Sequence, residues 1–193
     1  MILKSIAEDI RAIYRNDPAA KNIEFLLYPG FIALFNHRFI HVLHNLRIPF
    51  IPRLLSEINR FITGVEIHPG ATIGSGCFID HGTGIVIGET AQIGKNCVLF
   101  HGVTLGGTGK HVGKRHPTVG DNVFIGTGAI LLGPITVGDN TYIGANTFLY
   151  MVDIPANCTV VGTPGLIVRK DGQRVRIKPQ PTRPETLRTA KAG

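Results

Sequence analysis

The chain has 193 residues, 44% of them hydrophobic and 17% charged, a composition that excludes a disordered chain and suits one domain with a sizeable core. The net charge of +7 is concentrated in residues 168–193, a basic tail that carries +6 and that we expect to be a solvated extension, so the charge does not indicate nucleic-acid binding. No apolar run approaches the ~18 residues of a membrane span, and Glu8 and Asp9 interrupt the start before a signal-peptide core could form, so we expect a cytoplasmic protein.

Apolar residues at helical spacing predict a helical region over residues 1–63. The pattern is clearest in residues 2–15. It recurs in residues 30–46 and 53–62. We therefore expect a helical cap before the central part of the chain.

Two features of this cap allow both a structural and a functional interpretation. Asp17 followed by Pro18 is typical of a helix N-cap and the first residue of that helix. His37, His41 and His44 share one helical face and could bind zinc. Because no cysteine or carboxylate accompanies them, we favour helix packing or solvent contact for the three histidines.

A six-residue repeat runs through residues 64–167. An aliphatic residue recurs at every sixth position, glycine often follows it, and a small residue lies four positions after it. The aliphatic positions are Ile67, Ile73, Ile79, Ile85, Ile87, Ile93, Leu99, Leu105, Val119, Ile125, Leu131, Val137, Ile143, Leu149, Ile154 and Val160. A period of six fits neither a helix nor simple alternation. It predicts short strands joined by tight turns, with three repeats closing each coil of a parallel β-helix.

All three cysteines, Cys77, Cys97 and Cys158, occupy the small-residue position of a repeat. This position favours small buried residues over a catalytic thiol. An odd, sparse set of cysteines also argues against a disulfide framework and suits a reducing cytoplasm.

Two segments depart from the repeat and are the candidates for chemistry. Residues 106–117 form a glycine-rich insertion that we expect to project from the coil, although its glycines match neither the P-loop nor the dinucleotide fingerprint. Residues 78–90 contain a two-residue slip in the phase of the repeat. Within them His81 adjoins an acid and a glycine-rich stretch, where a general base is favoured over a surface histidine.

These segments contain motifs that resemble one enzyme family. The motifs are Glu66-Ile67-His68-Pro69, Ile79-Asp80-His81-Gly82-Thr83-Gly84, Gly88-Glu89-Thr90, Gly102-Val103-Thr104-Leu105-Gly106-Gly107-Thr108-Gly109-Lys110 and Arg115-His116-Pro117. Over residues 17–168 the chain resembles the serine acetyltransferases, a match far more specific than the repeat alone. The resemblance implies a left-handed parallel β-helix. It also implies transfer of acetyl from acetyl-CoA to the L-serine hydroxyl, giving O-acetyl-L-serine for cysteine biosynthesis, without a metal ion.

The same resemblance assigns roles to individual residues. His81 matches the general base, and Glu66 aligns with the carboxylate that orients it, a position often filled by aspartate. The positions that match the serine-binding residues are Asp17, Asp80, Arg115 and His116. Aspartate suits the ammonium group of a zwitterionic substrate, and arginine suits its carboxylate. The positions that match the coenzyme A groove are Gly107, Thr108, Thr127 and Ala145.

The resemblance further implies partners. L-cysteine is expected to compete at the serine site as a feedback inhibitor, and the minimal active unit is expected to be a homotrimer with sites shared between chains. A hexamer is also possible, but the helical region is short compared with that of relatives that pair two trimers. Residues 189–193 lack the terminal isoleucine by which many relatives bind O-acetylserine sulfhydrylase, so we do not expect a stable complex with that enzyme.

Other functions are possible on the same scaffold. Another hexapeptide O-acetyltransferase, acting on a sugar or xenobiotic hydroxyl, would share the fold and the base but would not need Asp80 and Arg115. A metal-dependent lyase such as a γ-class carbonic anhydrase could use His81, His111 and His116, although nothing in the glycine-rich loop is expected to orient His111. A scaffold role would leave the loop motifs unexplained.

Overall fold

The computed structural model describes residues 2–109 and 112–182, and its chain begins with helices. These are α1 (Ile2–Asn16), a 3-10 helix (Ile23–Leu27), α2 (Pro29–Asn45) and α3 (Ile51–Thr63). The three predicted helices are thus confirmed, with ends within two residues. Gly64 follows α3 and caps it: its φ of 70° favours glycine, and its N–H donates to the Arg60 carbonyl oxygen at 2.8 Å. None of the described helices is both long enough and apolar enough to cross a membrane.

The helix expected to begin at Pro18 is not formed. Asp17 Oδ1 instead accepts a hydrogen bond from the Ala19 N–H at 2.8 Å and closes a turn. The following 3-10 helix is capped by Asn22, whose Oδ1 accepts the Glu24 N–H at 2.8 Å. The N-cap interpretation of Asp17 was therefore wrong, because a later side chain caps the next helical element.

Short strands occupy the rest of the described chain. In chain order they are β1 (Glu66–Ile67), β2 (Thr72–Ile73), β3 (Phe78–Asp80), β4 (Val86–Ile87), β5 (Gln92–Ile93), β6 (Val98–Phe100), β7 (Thr104–Gly106), β8 (Thr118–Val119), β9 (Phe124–Ile125), β10 (Ile130–Leu132), β11 (Thr136–Val137), β12 (Tyr142–Ile143), β13 (Phe148–Tyr150), β14 (Val152–Asp153), β15 (Cys158–Val161), β16 (Leu166–Lys170), β17 (Gln173–Ile177) and β18 (Gln180–Pro181).

The strands stack into three parallel sheets that form the sides of the predicted parallel β-helix. Sheet A has the order β1-β4-β7-β10-β13, sheet B the order β2-β5-β8-β11, and sheet C begins β3-β6-β9-β12-β15. The chain turns from sheet A to sheet B at an edge that we call the AB edge, which includes residues 88–91. The BC edge includes residues 94–97 and the CA edge includes residues 81–85. These edges, and not the flat sides, hold most of the candidate site residues.

The interior of the β-helix consists of the aliphatic residues that the repeat predicts. All sixteen are buried, with at most 7% of any residue exposed. Among the small positions Thr83 is an exception and is exposed, because the two-residue slip places Ile85 inside the coil instead. The cysteines are buried, and burial raises the pKa of the Cys97 thiol to about 11, so this thiol remains protonated.

A ladder of asparagines along the BC edge, which the sequence analysis missed, links successive coils. Asn96, Asn122, Asn140 and Asn157 all have left-handed backbone conformations, with φ between 55° and 58°. The side-chain amides of the first three each donate to the Oδ1 of the asparagine in the next coil, at 3.2–3.3 Å. Asparagine suits this position because it tolerates a left-handed backbone and can hydrogen-bond locally.

A buried ion pair attaches the helical cap to the first coil. Arg38 of α2 donates to the two carboxylate oxygens of Asp9 in α1 at 3.0–3.1 Å, and to the Gly74 carbonyl oxygen at 2.7 Å. Asp9 Oδ1 also accepts the N–H groups of Gly76 and Cys77 at 2.9 and 3.1 Å. The pair therefore joins two helices and the BC edge.

The three histidines of α2 belong to the same contact between the cap and the first coil. His37 is buried, with its Nε2 3.1 Å from the Ala71 carbonyl oxygen, and His41 Nδ1 lies 2.8 Å from the Pro69 carbonyl oxygen. The His44 ring lies 6.2 Å from the His68 ring, between centroids. The favoured interpretation, helix packing, is confirmed for His37 and His41.

Over residues 168–182 the basic tail is mostly exposed to solvent, as expected, but it is folded into strands and is not a simple extension. β16 and β17 form an antiparallel hairpin that continues sheet C beyond β15, and β18 pairs with β14. Asp171 and Gly172, with φ of 47° and 79°, form the two-residue turn between them. Residues 183–193, on which the expectation about the sulfhydrylase complex depends, lie outside the described residues.

Candidate functional site

His81 lies at the CA edge, directly after β3, with its side chain open to solvent. Its φ of 59° is in the left-handed region, as at other corners of the coil, and histidine is among the non-glycine residues enriched there. The side chain is 71% exposed, and its Nε2 lies 3.9 Å from Asp80 Oδ2. The ring of His101, from the next coil, packs edge-on at 5.7 Å between centroids. The edge therefore presents an accessible imidazole beside a carboxylate.

Asp17 reaches the same edge through Tyr28, a residue that the sequence analysis missed. A hydrogen bond with the Asp17 carboxylate raises the pKa of the Tyr28 hydroxyl, and the charge of Asp80 acts in the same direction. Tyr28 is placed there because α2 begins against β3: a Cβ on Gly30 would lie 2.1 Å from the Ile79 carbonyl oxygen. Asp80 therefore lies beside His81, and the charges of Asp17 and Asp80 both act on the Tyr28 hydroxyl.

Glu66, the predicted orienting carboxylate, has a different partner. It lies in β1 on sheet A, and its Oε2 is 3.4 Å from Arg60 Nε of α3. Within the described residues no hydrogen bond joins Glu66 to His81. The carboxylate that is near the His81 ring belongs to Asp80, its neighbour in sequence. The role of Glu66 as the orienting group stays a prediction.

The insertion does not project freely over its second half, residues 112–117, which folds back onto the AB edge. The Lys114 ammonium donates to the carbonyl oxygens of Thr90 at 2.6 Å and Pro117 at 3.3 Å. Arg115 forms an ion pair with Glu89 of the same edge. The expectation of a projecting loop is corrected for these residues, because the backbone and the charges of residues 88–91 bind them.

His116 is enclosed at this edge between two glycines. A Cβ on Gly88 would lie 2.0 Å from its ring, and one on Gly107 would lie 3.2 Å from its Nε2. The residue is only 8% exposed. Burial, with a contribution from the charge of Arg115, lowers the pKa of His116 to about 4, so the ring is neutral at neutral pH.

The charged groups around His116 are also perturbed. Burial lowers the pKa of the Lys114 ammonium to about 8. The hydrogen bond from Arg115 lowers the pKa of Glu89. Arg115, predicted to bind a substrate carboxylate, therefore already has one carboxylate partner within its own chain.

The four predicted coenzyme A positions are divided between the two edges. Thr127 is half-buried and Ala145 is exposed, and both lie on the CA edge, in coils that follow the coil of His81 in the chain. Gly107 and Thr108 follow β7 at the AB edge, near His116. The CA edge thus offers small side chains in line with the candidate base.

The candidate residues therefore form two sets on two different edges of one chain. The CA set consists of Asp17, Asp80, His81, Thr127 and Ala145, and the AB set consists of Gly107, Thr108, Arg115 and His116. The single chain does not bring the candidate base together with the candidate carboxylate-binding residues. Tyr28 and Thr90 contact these sets and were missed. Of these two residues, only Thr90 could have been found from the sequence, because it is the last residue of the motif Gly88-Glu89-Thr90.

The zinc alternative has no support in the described part of the chain. Its His81 and His116 lie at different edges, and its third member, His111, lies outside the described residues, as does Lys110. Among the described residues no three histidine, cysteine, aspartate or glutamate side chains are grouped as metal ligands.

Comparisons with known proteins identify the repeat of this chain and its relatives. The family described as "Bacterial transferase hexapeptide (six repeats)" matches residues 116–150, and the one described as "Hexapeptide repeat of succinyl-transferase" matches residues 84–107. The chain is 55% identical over 176 residues to a serine acetyltransferase of Synechococcus elongatus, a match that covers 90% of this chain and 72% of the relative. It is 50% identical over 178 residues to a serine acetyltransferase of Bacillus subtilis, covering 91% and 82%.

Solved structures with the same fold include complexes. Serine acetyltransferase of Neisseria gonorrhoeae in complex with serine superposes with a TM-score of 0.83 at 41% identity, covering 87% of this chain and 69% of that one. The enzyme of Brucella abortus in complex with coenzyme A gives 0.84 at 40% identity, covering 88% and 68%. A serine acetyltransferase in complex with cysteine gives 0.84 at 40% identity, covering 87% and 70%. The predicted fold, a left-handed parallel β-helix with an N-terminal helical cap, is confirmed.

Proposed function

The chain belongs to the serine acetyltransferase family, and from that premise we propose that His81 is the general base of its acetyl transfer. The enzyme transfers the acetyl group of acetyl-CoA to the hydroxyl of L-serine. The observation that carries the proposal is the accessible His81 ring at the CA edge, with the Asp80 carboxylate beside it.

The chemistry requires a base because a neutral serine hydroxyl attacks a thioester poorly. A neutral imidazole within hydrogen-bond reach of the hydroxyl accepts its proton while the oxygen bonds to the acetyl carbon. The carbon–sulfur bond then breaks, and the same ring returns the proton to the departing thiolate. The products are O-acetyl-L-serine and coenzyme A, with no net proton change on His81.

Binding of a zwitterion explains the other predicted residues. We assign the ammonium group of serine to Asp80 and Asp17 on the CA edge, and its carboxylate to Arg115 and His116 on the AB edge. Gly107, Thr108, Thr127 and Ala145 are proposed to line the coenzyme A groove. Glu66 is proposed to orient His81 once its ion pair with Arg60 is broken.

Because one chain separates these edges, we assign each complete site to two chains. Three chains arranged around a three-fold axis, each with a triangular β-helix, would place the AB edge of one chain against the CA edge of the next. The division of the candidate residues into two sets supports this homotrimer. Pairing of two trimers into a hexamer would need a further contact, for which we assign no residues.

The same site would accept L-cysteine as a competitor. Cysteine carries the ammonium and carboxylate groups of serine, with a thiol in place of the hydroxyl, so the same charged residues would bind it. The similar serine acetyltransferase structure in complex with cysteine supports feedback inhibition of this chain. We also propose a cytoplasmic location, which the three free and buried cysteines support.

Steady-state acetyl transfer tests the proposed base. His81→Ala should lower kcat by roughly 10²–10⁴-fold, the contribution typical of a general base, while circular dichroism shows an unchanged fold. Activity is followed as thiol release from acetyl-CoA with L-serine, and with a panel of sugars as acceptors. Near-wild-type turnover of the variant would remove His81 from the mechanism, and a preference for a sugar would favour the alternative acetyltransferase.

A further inference from the structure

Thr90, at the AB edge, is the point to which the returning insertion is bound. Its Oγ1 accepts the N–H groups of Arg115 at 3.0 Å and His116 at 3.1 Å. These two donors occupy both lone pairs of the hydroxyl oxygen. The hydroxyl hydrogen of Thr90 is consequently left to donate to a third group.

That third group is the His116 ring. His116 Nδ1 lies 2.9 Å from Thr90 Oγ1 and 3.2 Å from the Thr90 backbone nitrogen. A backbone N–H can only donate, so Nδ1 must be an acceptor in this geometry and cannot carry a hydrogen. The hydrogen of the neutral ring is therefore on Nε2.

The surroundings of His116 favour the neutral form of its ring. The charged and titratable groups that face the ring are Arg115 and Lys114 on its own loop, Glu89 on the AB edge and His68 from the first coil. The ring is buried, and a proton added at Nδ1 would oppose the Thr90 N–H. An imidazolium is therefore disfavoured by both its environment and its hydrogen bonds.

The Nε2 side of the ring faces Gly88 and Gly107. A Cβ on Gly88 would lie 2.1 Å from Nε2, and one on Gly107 would lie 3.2 Å from it. Any side chain at Gly88 would thus block this nitrogen. In the described residues Nε2 has no hydrogen-bond partner, whereas Nδ1 has two from Thr90.

We propose that Thr90 is a positioning residue: its backbone N–H and hydroxyl fix His116 as an Nε2–H donor, and so set the direction in which His116 can bind the substrate carboxylate assigned to it above. The second half of this inference rests on the proposed function, and the first half does not. Arg115 shares its charge with Glu89, so a neutral, directed donor beside it selects for the position of the carboxylate oxygen. Acceptors without a carboxylate would leave the Nε2–H unpaired, which is costly in a buried site.

The hydrogen position is tested directly by nuclear magnetic resonance of the full-length protein labelled with ¹⁵N-histidine. The two ring nitrogens have distinct resonances when protonated and when bare, and His116→Gln identifies the His116 signals by their loss. From pH 6 to pH 8 we expect a bare Nδ1 and a protonated Nε2. A protonated Nδ1, or an imidazolium at pH 7, would overturn the proposed role of Thr90 whatever the activity of the enzyme.

Variants at the two residues test recognition of the carboxylate. Thr90→Val removes the hydroxyl at nearly constant volume and should raise the KM for L-serine by about 10–100-fold, the cost of an unpaired buried group, with a smaller change in kcat. Thr90→Ser keeps the hydroxyl and should restore the KM. Thr136→Val, at an exposed position of sheet B two coils further along the chain, is the matched control and should leave both constants unchanged.

Amide substitutions of His116 separate the two ring nitrogens. The amide of glutamine reaches the position of Nε2, and that of asparagine reaches only the position of Nδ1. His116→Gln should therefore keep a lower KM for L-serine than His116→Asn, and its pH profile should match that of the wild type. The reverse order, or an unchanged KM in Thr90→Val, would refute recognition by the Nε2–H group. Absence of serine acetylation in the wild type would instead refute the proposed function, and the resonance result would still stand.

Discussion

Replacing Asp9 by alanine tests how the helical cap is held on the β-helix. The Asp9 and Arg38 side chains are 3% and 9% exposed, so the change leaves a buried guanidinium without its carboxylate. It also leaves the N–H groups of Gly76 and Cys77 without an acceptor. Breaking a buried pair by removing one partner costs about 3–5 kcal/mol, and the two orphaned N–H groups place this variant toward the upper end.

The free energy of unfolding is measured by urea denaturation at fixed protein concentration, because assembly makes it depend on concentration. Glu8→Ala is the matched control in the same helix, since its ion pair with Arg11 is exposed and should contribute at most about 1 kcal/mol. A double variant with Asp9→Leu and Arg38→Met should recover part of the loss, because it leaves no buried charge. Equal losses in Asp9→Ala and Glu8→Ala would refute the proposed attachment.

Two further predictions concern stability. Burial lowers the pKa of His37 to about 3, so below pH 6.5 the unfolded chain binds a proton that the folded chain does not. The contribution of His37 to the free energy of unfolding is fully present above pH 6.5. It should fall by up to about 1.4 kcal/mol per pH unit as the pH drops toward 3. His37→Gln should remove the uptake of about one proton from the dependence of the unfolding free energy on pH, measured by urea denaturation between pH 7 and pH 5. An unchanged dependence on pH would contradict the assignment. Asn140→Ala should destabilise the BC edge by about 1–2 kcal/mol more than Asn140→Gly, because alanine is strained at a φ of 55°; equal losses would show that the backbone conformation is not the cause.

The core could be predicted because its repeat is a direct consequence of the coil geometry. Every aliphatic position of the six-residue period is buried, from Ile67 to Val160. The hairpin at the C-terminal end had a signal, Asp171-Gly172, but the concentration of positive charge in the tail favoured a solvated extension. The exposure of Thr83 was not predictable from the period, because the slip lies within that repeat.

The site was harder to predict because contacts between coils join distant parts of the chain. Arg115 and Glu89 are 26 residues apart, since the insertion lengthens one coil and removes the regular spacing. A carboxylate at residue 66 can align with a family position and still bind Arg60, which comes from the helical cap. Motif resemblance identified residue types, whereas the edges on which they lie required the fold.

Mixing two inactive variants tests most directly the central claim, that a complete site combines the CA edge of one chain with the AB edge of another. His81→Ala lacks the base and Arg115→Ala lacks the carboxylate-binding cation, so each should be inactive alone. After subunit exchange, verified by mass spectrometry of mixed assemblies, some interfaces contain both wild-type residues, and acetylation of L-serine should reappear. No recovery in proven mixed assemblies would show that each chain builds its own site and would contradict the account.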